Sequence, residues 1–336
     1  MSPGLADGNT LPSAVNIPGN ELATHNHGGI KRRAIMATKN VDAICFVVIA
    51  AAFCALLSVW FYFDKRIPTT DEAGHILNAL DYKHLLLHAK PLKLGWWHAF
   101  LSVNKFYPPM VYIFNGVLKC CFGNGRVVDV VSSIVFELVY TFSVYSIARI
   151  AGRSTLAACL AAVIANVYPL IVNISRTFLL DFPLTAMIAI GLLSLMWWDE
   201  RPTKRRCGLA AIGLAAACMT KQIAAAYLIL PGIWLFASSL FNSIACRSWS
   251  HFQTQRLLHL MFMAMTVSMV VLPWTAVNWH WIHSYSAETG ANTARRRSVS
   301  AMTSSIKRVI SRRTSSCAVR VSSRAGQNSP SSLRMS

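Results

Sequence analysis

Residues 41–63 read VDAICFVVIAAAFCALLSVWFYF, a run whose only charged side chain is Asp42. A helix rises about 1.5 Å per residue, so this run is long enough to cross a hydrocarbon core of about 30 Å. Lys31, Arg32, Arg33 and Lys39 precede it. Basic residues flank the cytoplasmic ends of membrane spans, so the N-terminus is expected inside. Residues 1–40 are polar, with Pro, Gly, Asn and His, and read as a disordered cytoplasmic leader too long and too polar for a simple signal peptide.

The whole composition agrees with that first run. Hydrophobic residues make up 54% of the chain, charged residues 13%, and the mean hydropathy is +0.44. A soluble domain carries about 25% charged residues. The expected fold is therefore all-α, a multi-pass bundle of about seven spans, with interfacial helices in the first outer loop. The net charge of +19 does not mark a nucleic-acid-binding face. Ten basic residues and no acid follow Gly290, and much of the remainder lies in short loops between apolar blocks. Neither a basic recognition helix nor an aromatic RNA-binding sheet is visible, so no nucleic-acid partner is expected. The nine cysteines form no CxxC pair, and those in apolar blocks (Cys45, Cys54, Cys159, Cys218) read as packing residues.

Topology beyond the first span turns on residues 108–122, PPMVYIFNGVLKCCF, which are apolar but short. If they do not cross, the next spans are about 127–147, 155–172 and 178–198. Arg149, Arg153, Arg201, Lys204, Arg205 and Arg206 then all fall inside, as the positive-inside rule requires. The opposite parity puts the most basic loop outside. Residues 108–122 are therefore expected as an interfacial or re-entrant segment of an outer loop covering 64–126. Residues 207–245 read as a tight helical pair turning near Thr220-Lys221-Gln222, its first member short enough to be a half-helix. A last span covers about 257–275, ending in an interfacial belt of Trp274, Trp279 and Trp281. The membrane domain is thus placed at 41–285, and the Ser- and Arg-rich residues 286–336 read as a disordered tail.

Several charged groups fall on the outer side under this topology. Asp71-Glu72 opens a segment whose Ala73, Ile76, Leu77 and Leu80 share one helical face. The pair reads either as first-turn acids behind a Thr70 cap or as carboxylates serving as a general base or cation ligand. Lys105 and Tyr107 precede Pro108-Pro109, as a turn with an interfacial anchor or as part of a site. Ser175-Arg176 with Asp181 is either a membrane-edge salt bridge or functional. Lys221, in an apolar hairpin, either snorkels or meets a phosphate as a point charge. His75, one turn after Asp71, reads as a lone structural histidine, since no HExxH-like metal spacing occurs.

The order of these elements resembles the membrane glycosyltransferases of the GT-C fold that use polyprenyl-phosphate sugars. The nearest kinds are the protein mannosyltransferase and aminoarabinose transferase relatives, including the RgtA/B/C/D-like group. The resemblance runs over about 41–283. It rests on Asp71-Glu72, Tyr107-Pro108-Pro109, Ser175-Arg176 with Asp181, Gly213-Leu214-Ala215 with Thr220-Lys221, and Pro273-Trp274 with Asn278. Tyr107 stands where the pattern has His, and the chain ends before the later spans of many relatives, so it reads as C-terminally truncated.

The resemblance implies transfer of a sugar from a polyprenyl phosphate to an acceptor at the extracytoplasmic face of a membrane, preferably a bacterial inner membrane. Asp71 and Glu72 are implied as catalytic. Lys105, Tyr107, Arg176, Asp181 and Lys221 are implied as substrate-binding. A divalent cation, Mg or Mn, on Asp71 is the one cofactor considered. The expected partners are the lipid-linked donor, membrane lipid and an acceptor of unknown kind. The alternative is a non-catalytic relative, or a transport or assembly protein.

The topology has a direct check. In a background lacking native cysteines, single cysteines at 71 and 176 are expected to label from one side of the membrane. Those at 149 and 205 are expected to label from the other.

Overall fold

The structure is a computed structural model, and it describes residues 21–245 and 254–284. These form eleven helices and no strand, as the lipid environment demands, because only helices satisfy every backbone polar group within their own segment. In chain order they are α1 (Glu21–Phe63), α2 (Thr70–Leu87), α3 (Leu94–Ser102), α4 (Met110–Phe122), α5 (Arg126–Gly152), α6 (Thr155–Val167), α7 (Pro169–Ser175), α8 (Asp181–Glu200), α9 (Lys204–Cys218), α10 (Ala224–Ala245) and α11 (Thr254–Ser284). α1 begins at Glu21, inside the stretch read as leader, and its apolar, span-length part is Asn40–Phe63. The Ser- and Arg-rich tail lies outside the described residues.

Five helices are long and apolar enough to cross a membrane: α1, α5, α8, α10 and α11. α6 and α7 together make a sixth candidate, bent by 64°. The bend has a local cause. Tyr168 precedes Pro169, whose ring disfavours the helical region for the residue before it, and Tyr168 is extended at φ −60°, ψ 125°. Pro169 then opens α7 at the first position, where its missing N–H costs nothing. The expected count of about seven is thus reduced. α9, with 15 residues, is too short to qualify, although it joins the two ends of α8.

Contacts at the helix ends assign each to one of two faces. At one face the Asp42 carboxylate accepts from the Arg149 guanidinium at 3.1 Å and from the Thr155 hydroxyl, joining the start of α1 to the end of α5 and the start of α6. Phe142 of α5 touches Phe46 (5.6 Å) and Trp197 (6.0 Å), which brings the end of α8 to that face. Arg256 pairs there with Asp199. At the opposite face Asp64 pairs with Arg126 at 3.1 Å, Glu72 meets the loop before α8, and Lys221 pairs with Asp181. The Asn278 amide of α11 donates to Leu101 O there at 2.9 Å. Asp71, Arg176 and Lys221 therefore share a face, while Arg149 and Arg206 belong to the other.

α4 enters and leaves on the site-bearing face. Its first amide, Met110 N–H, donates to Met219 O between α9 and α10 (3.0 Å). Its last turn carries Lys119, wholly buried, with Nζ 2.8 Å from Asp129 in the first turn of α5. Asn115 Nδ2 donates to the same carboxylate at 3.1 Å. α4 also packs lengthwise on α2: a Cβ at Gly116 would meet Ala79 O at 3.2 Å and Lys83 N at 3.1 Å. The face of α2 turned inward is that of Ala79 and Tyr82. Of the expected apolar stripe, Leu77 is exposed. Trp274, expected in an interfacial belt, is instead fully buried, whereas Trp279 and Trp281 are exposed.

Lys119→Met leaves the Asp129 carboxylate buried without its cation, and the expected loss is about 3–5 kcal/mol. The double variant Lys119→Met/Asp129→Leu is expected to recover most of it. Thermal unfolding in detergent of the two variants checks this.

Candidate functional site

The site-bearing face holds two adjoining clusters, and α2 contributes consecutive residues to both. Its N-terminus is fixed by a capping box centred on Thr69, one residue before the expected Thr70. The Thr69 hydroxyl accepts from Glu72 N–H (3.4 Å), and Glu72 Oε2 accepts from Thr69 N–H (2.9 Å). Glu72 Oε1 accepts from Phe178 N–H at 3.1 Å and lies 3.8 Å from the Arg66 guanidinium. Both oxygens of this buried carboxylate are therefore engaged. Glu72, expected with Asp71 as a catalytic carboxylate, clamps the α2 terminus to the α7–α8 loop. Asp71, one position earlier on the helix, is exposed.

Around Glu72 lies a cluster of guanidinium groups. Arg66 donates to Asp64 Oδ2 (3.0 Å) and to Arg176 O (2.8 Å), and Arg126 also reaches Asp64 (3.1 Å). The Arg176 guanidinium stacks over Trp60, 4.1 Å from the ring centre, which leaves its N–H edge uncommitted by that contact. A cavity of about 160 Å³ opens among Arg66, Glu72, Arg126 and Arg176. A second, of about 240 Å³, runs from Arg176 along apolar α1 side chains (Phe53, Leu56, Leu57) to Glu137 and Asn166. Arg176 is common to both. Asp129 lines this cavity as well and is paired with Lys119; three guanidinium groups and Lys119 against Asp64, Glu72 and Asp129 leave one cation in excess.

The other half surrounds His75. Its Nδ1 lies 2.8 Å from the Tyr112 hydroxyl, and its ring stands edge-on to Tyr107, centroids 5.8 Å apart. Lys221 Nζ lies 5.4 Å from the centre of the same Tyr107 ring and 2.7 Å from Asp181 Oδ1. Burial holds the imidazole below its ordinary value; the carboxylate of Asp71 opposes this and Lys221 adds to it. Burial also pushes the Tyr112 phenol up, so it remains protonated. Lys105 stacks over Trp281 (4.2 Å) at the rim, joining α11 to the α3–α4 loop.

The expected residues thus meet at one face but not in one pocket. Glu72 and Arg176 line the cationic cavity. Asp71, Tyr107, Asp181 and Lys221 surround His75. Asp64, Arg66, Arg126 and His75 were not among the expected site residues. Of the other pattern residues, Gly213 admits the Ser194 hydroxyl, which a Cβ would meet at 3.0 Å, and Asn278 bonds to Trp274 O and Leu101 O. Both serve packing. Among the described residues no three His, Cys, Asp or Glu side chains converge to hold a metal ion.

Glu72→Ala removes the cap and the link to Phe178 together. The expected cost is about 1–2 kcal/mol in stability, measured by thermal unfolding, with Glu72→Gln retaining part of it.

Residues 130–287 match the family model described as dolichyl-phosphate-mannose-protein mannosyltransferase. The matched stretch holds Arg176, Asp181 and Lys221 and begins after Asp71. No curated protein and no solved structure matches the chain. Over residues 130–287, a little under half of the chain, this multi-pass helical membrane protein is therefore similar to the dolichyl-phosphate-mannose-protein mannosyltransferases, a family of GT-C glycosyltransferases.

Proposed function

We propose that the chain transfers a sugar from a polyprenyl-phosphate donor to an acceptor hydroxyl at the extracytoplasmic face. The observation that carries this reading is Arg176. It stands in the family-matched domain, stacked on Trp60, at the junction between a cationic cavity and a cavity walled by apolar α1 side chains. A polyprenyl phosphate has the same division, an anion joined to an apolar chain. Arg176 binds the phosphate as the sugar departs and charge builds on the leaving oxygens. Arg66 and Arg126, held by Asp64, set the field around it.

Asp71 takes the proton of the acceptor hydroxyl. It is exposed, unlike Glu72, and the structure gives it no ion-pair partner among the described residues. The extracytoplasmic assignment rests on charge: Arg149, Arg153, Arg201, Lys204, Arg205 and Arg206 cluster at the opposite face. The mainly bacterial character of the resembled group supports a bacterial inner membrane.

Purified protein in nanodiscs is expected to move sugar from a polyprenyl-phosphate hexose to an acceptor. Asp71→Asn is expected to lower turnover roughly 10²–10⁴-fold with donor binding intact. Arg176→Met is expected to weaken donor binding about tenfold or more. Undiminished turnover in Asp71→Asn would remove it from the chemistry. A non-catalytic relative would show no transfer at all.

A further inference from the structure

The two halves of the site differ in charge, and this divides the donor between them. The Arg176 half has one cation in excess when Lys119 is counted with its partner Asp129. The His75 half does not: Lys221 is ion-paired with Asp181 at 2.7 Å, and Asp71 adds a second carboxylate. A phosphate is repelled there, whereas a neutral polyhydroxyl group is not. The same half offers an aromatic face at Tyr107 and several hydrogen-bonding groups, the combination that suits a sugar ring.

The hydrogen bonds around His75 bear on which of its nitrogens carries the proton. Asn104 Oδ1 accepts from the Phe106 and Tyr107 amides, each at 2.8 Å, so its other terminus is the NH₂ group. That NH₂ donates to the Tyr112 hydroxyl (3.2 Å). In the Nε2–H tautomer the Tyr112 O–H donates to His75 Nδ1 (2.8 Å), and Asn78 also bonds to that hydroxyl. The ring proton then sits on Nε2, for which no hydrogen bond occurs among the described residues. His75 and Lys221 both lie against the Tyr107 ring.

We propose that Tyr107, His75 and the Asp181–Lys221 pair form the subsite for the transferred sugar, taking a neutral sugar ring whose hydroxyl oxygen accepts from His75 Nε2–H. This rests on the donor being a polyprenyl-phosphate sugar. It moves Lys221 from the phosphate, where its position in an apolar hairpin suggested it, to the sugar. His75 is the residue the sequence presented as structural. The charged and titratable groups facing it are Asp71 and Glu72 from its own helix, Tyr107 from the loop, Tyr112 from α4, Asp181 from α8 and Lys221 from the α9–α10 turn.

The test compares two lipids on the full chain in nanodiscs: undecaprenyl phosphate, and the same lipid bearing mannose. His75→Ala is expected to weaken binding of the mannosyl lipid about tenfold and to leave the sugarless lipid unchanged. His75→Gln keeps an N–H donor near the position of Nε2 and is expected to restore most of the difference. Arg176→Met is expected to weaken both lipids. Nitrogen-15 histidine spectra, with the His75 signal assigned by its loss in His75→Gln, are expected to show the Nε2–H tautomer and a shift with the mannosyl lipid alone.

Equal weakening of both lipids in His75→Ala, or an Nδ1–H tautomer, overturns the sugar subsite and leaves the transferase reading standing. If wild-type protein binds neither lipid, the transferase reading fails and the subsite fails with it.

Discussion

Lys119, buried to the last atom of its side chain, faces Asp129 across 2.8 Å, and that pair fastens the re-entrant α4 to the spanning helix α5. A lone ammonium in such a place is strongly disfavoured, so the pair locks the last turn of α4 against the first turn of α5. With Met110 bonded to Met219 O at its start and Arg126 bonded to Asp64 just past its end, α4 returns to the face it came from. Had it crossed, every later helix would reverse, and Arg176 and Lys221 would sit on the opposite face from Asp71. The ion pair is better regarded as a device of orientation than of stability, since a hydrophobic pair of the same volume could pack as tightly.

Much of the bundle was legible in the sequence. The long apolar runs around Asp42, the short run at 108–122 and the basic loop at 201–206 were enough to give helices, parity and a common face for Asp71, Arg176 and Lys221. What misled was local. The break at Tyr168 is written in the Pro169 that follows it, yet the surrounding apolar residues read through it as one span. Trp274 read as an interfacial anchor because aromatic residues cluster near it, and only the three-dimensional packing shows it buried. The leader from Glu21 read as polar chain because composition carries no signal for a helix that simply continues.

The site was legible in its members and not in their partnerships. Asp71 and Glu72 are adjacent in sequence but point to different duties, because the third residue of a helix after a threonine cap folds back onto the cap. That spacing, Thr69 to Glu72, is a sequence signal, and it was available. Asp129 was available too, as an acid inside an apolar run. The orientation of His75 was not available. It follows from Tyr112 and Asn104, which are distant in the chain and carry no pattern of their own. Arg66 and Arg126 are ordinary loop cations until Asp64 gathers them.

Gly116 lets α4 settle against the backbone of α2 with no intervening side chain. Two helices so close slide only together, as one plate. The leading edge of this plate is bonded at Met110 to the carbonyl of Met219, in the turn that carries Lys221. The turn that carries Lys221 is thus tied through α4 to the N-terminal end of α2, where Asp71 stands. The spacing between the Asp71 carboxylate and the Lys221 ammonium is thereby set by backbone contacts rather than by side chains.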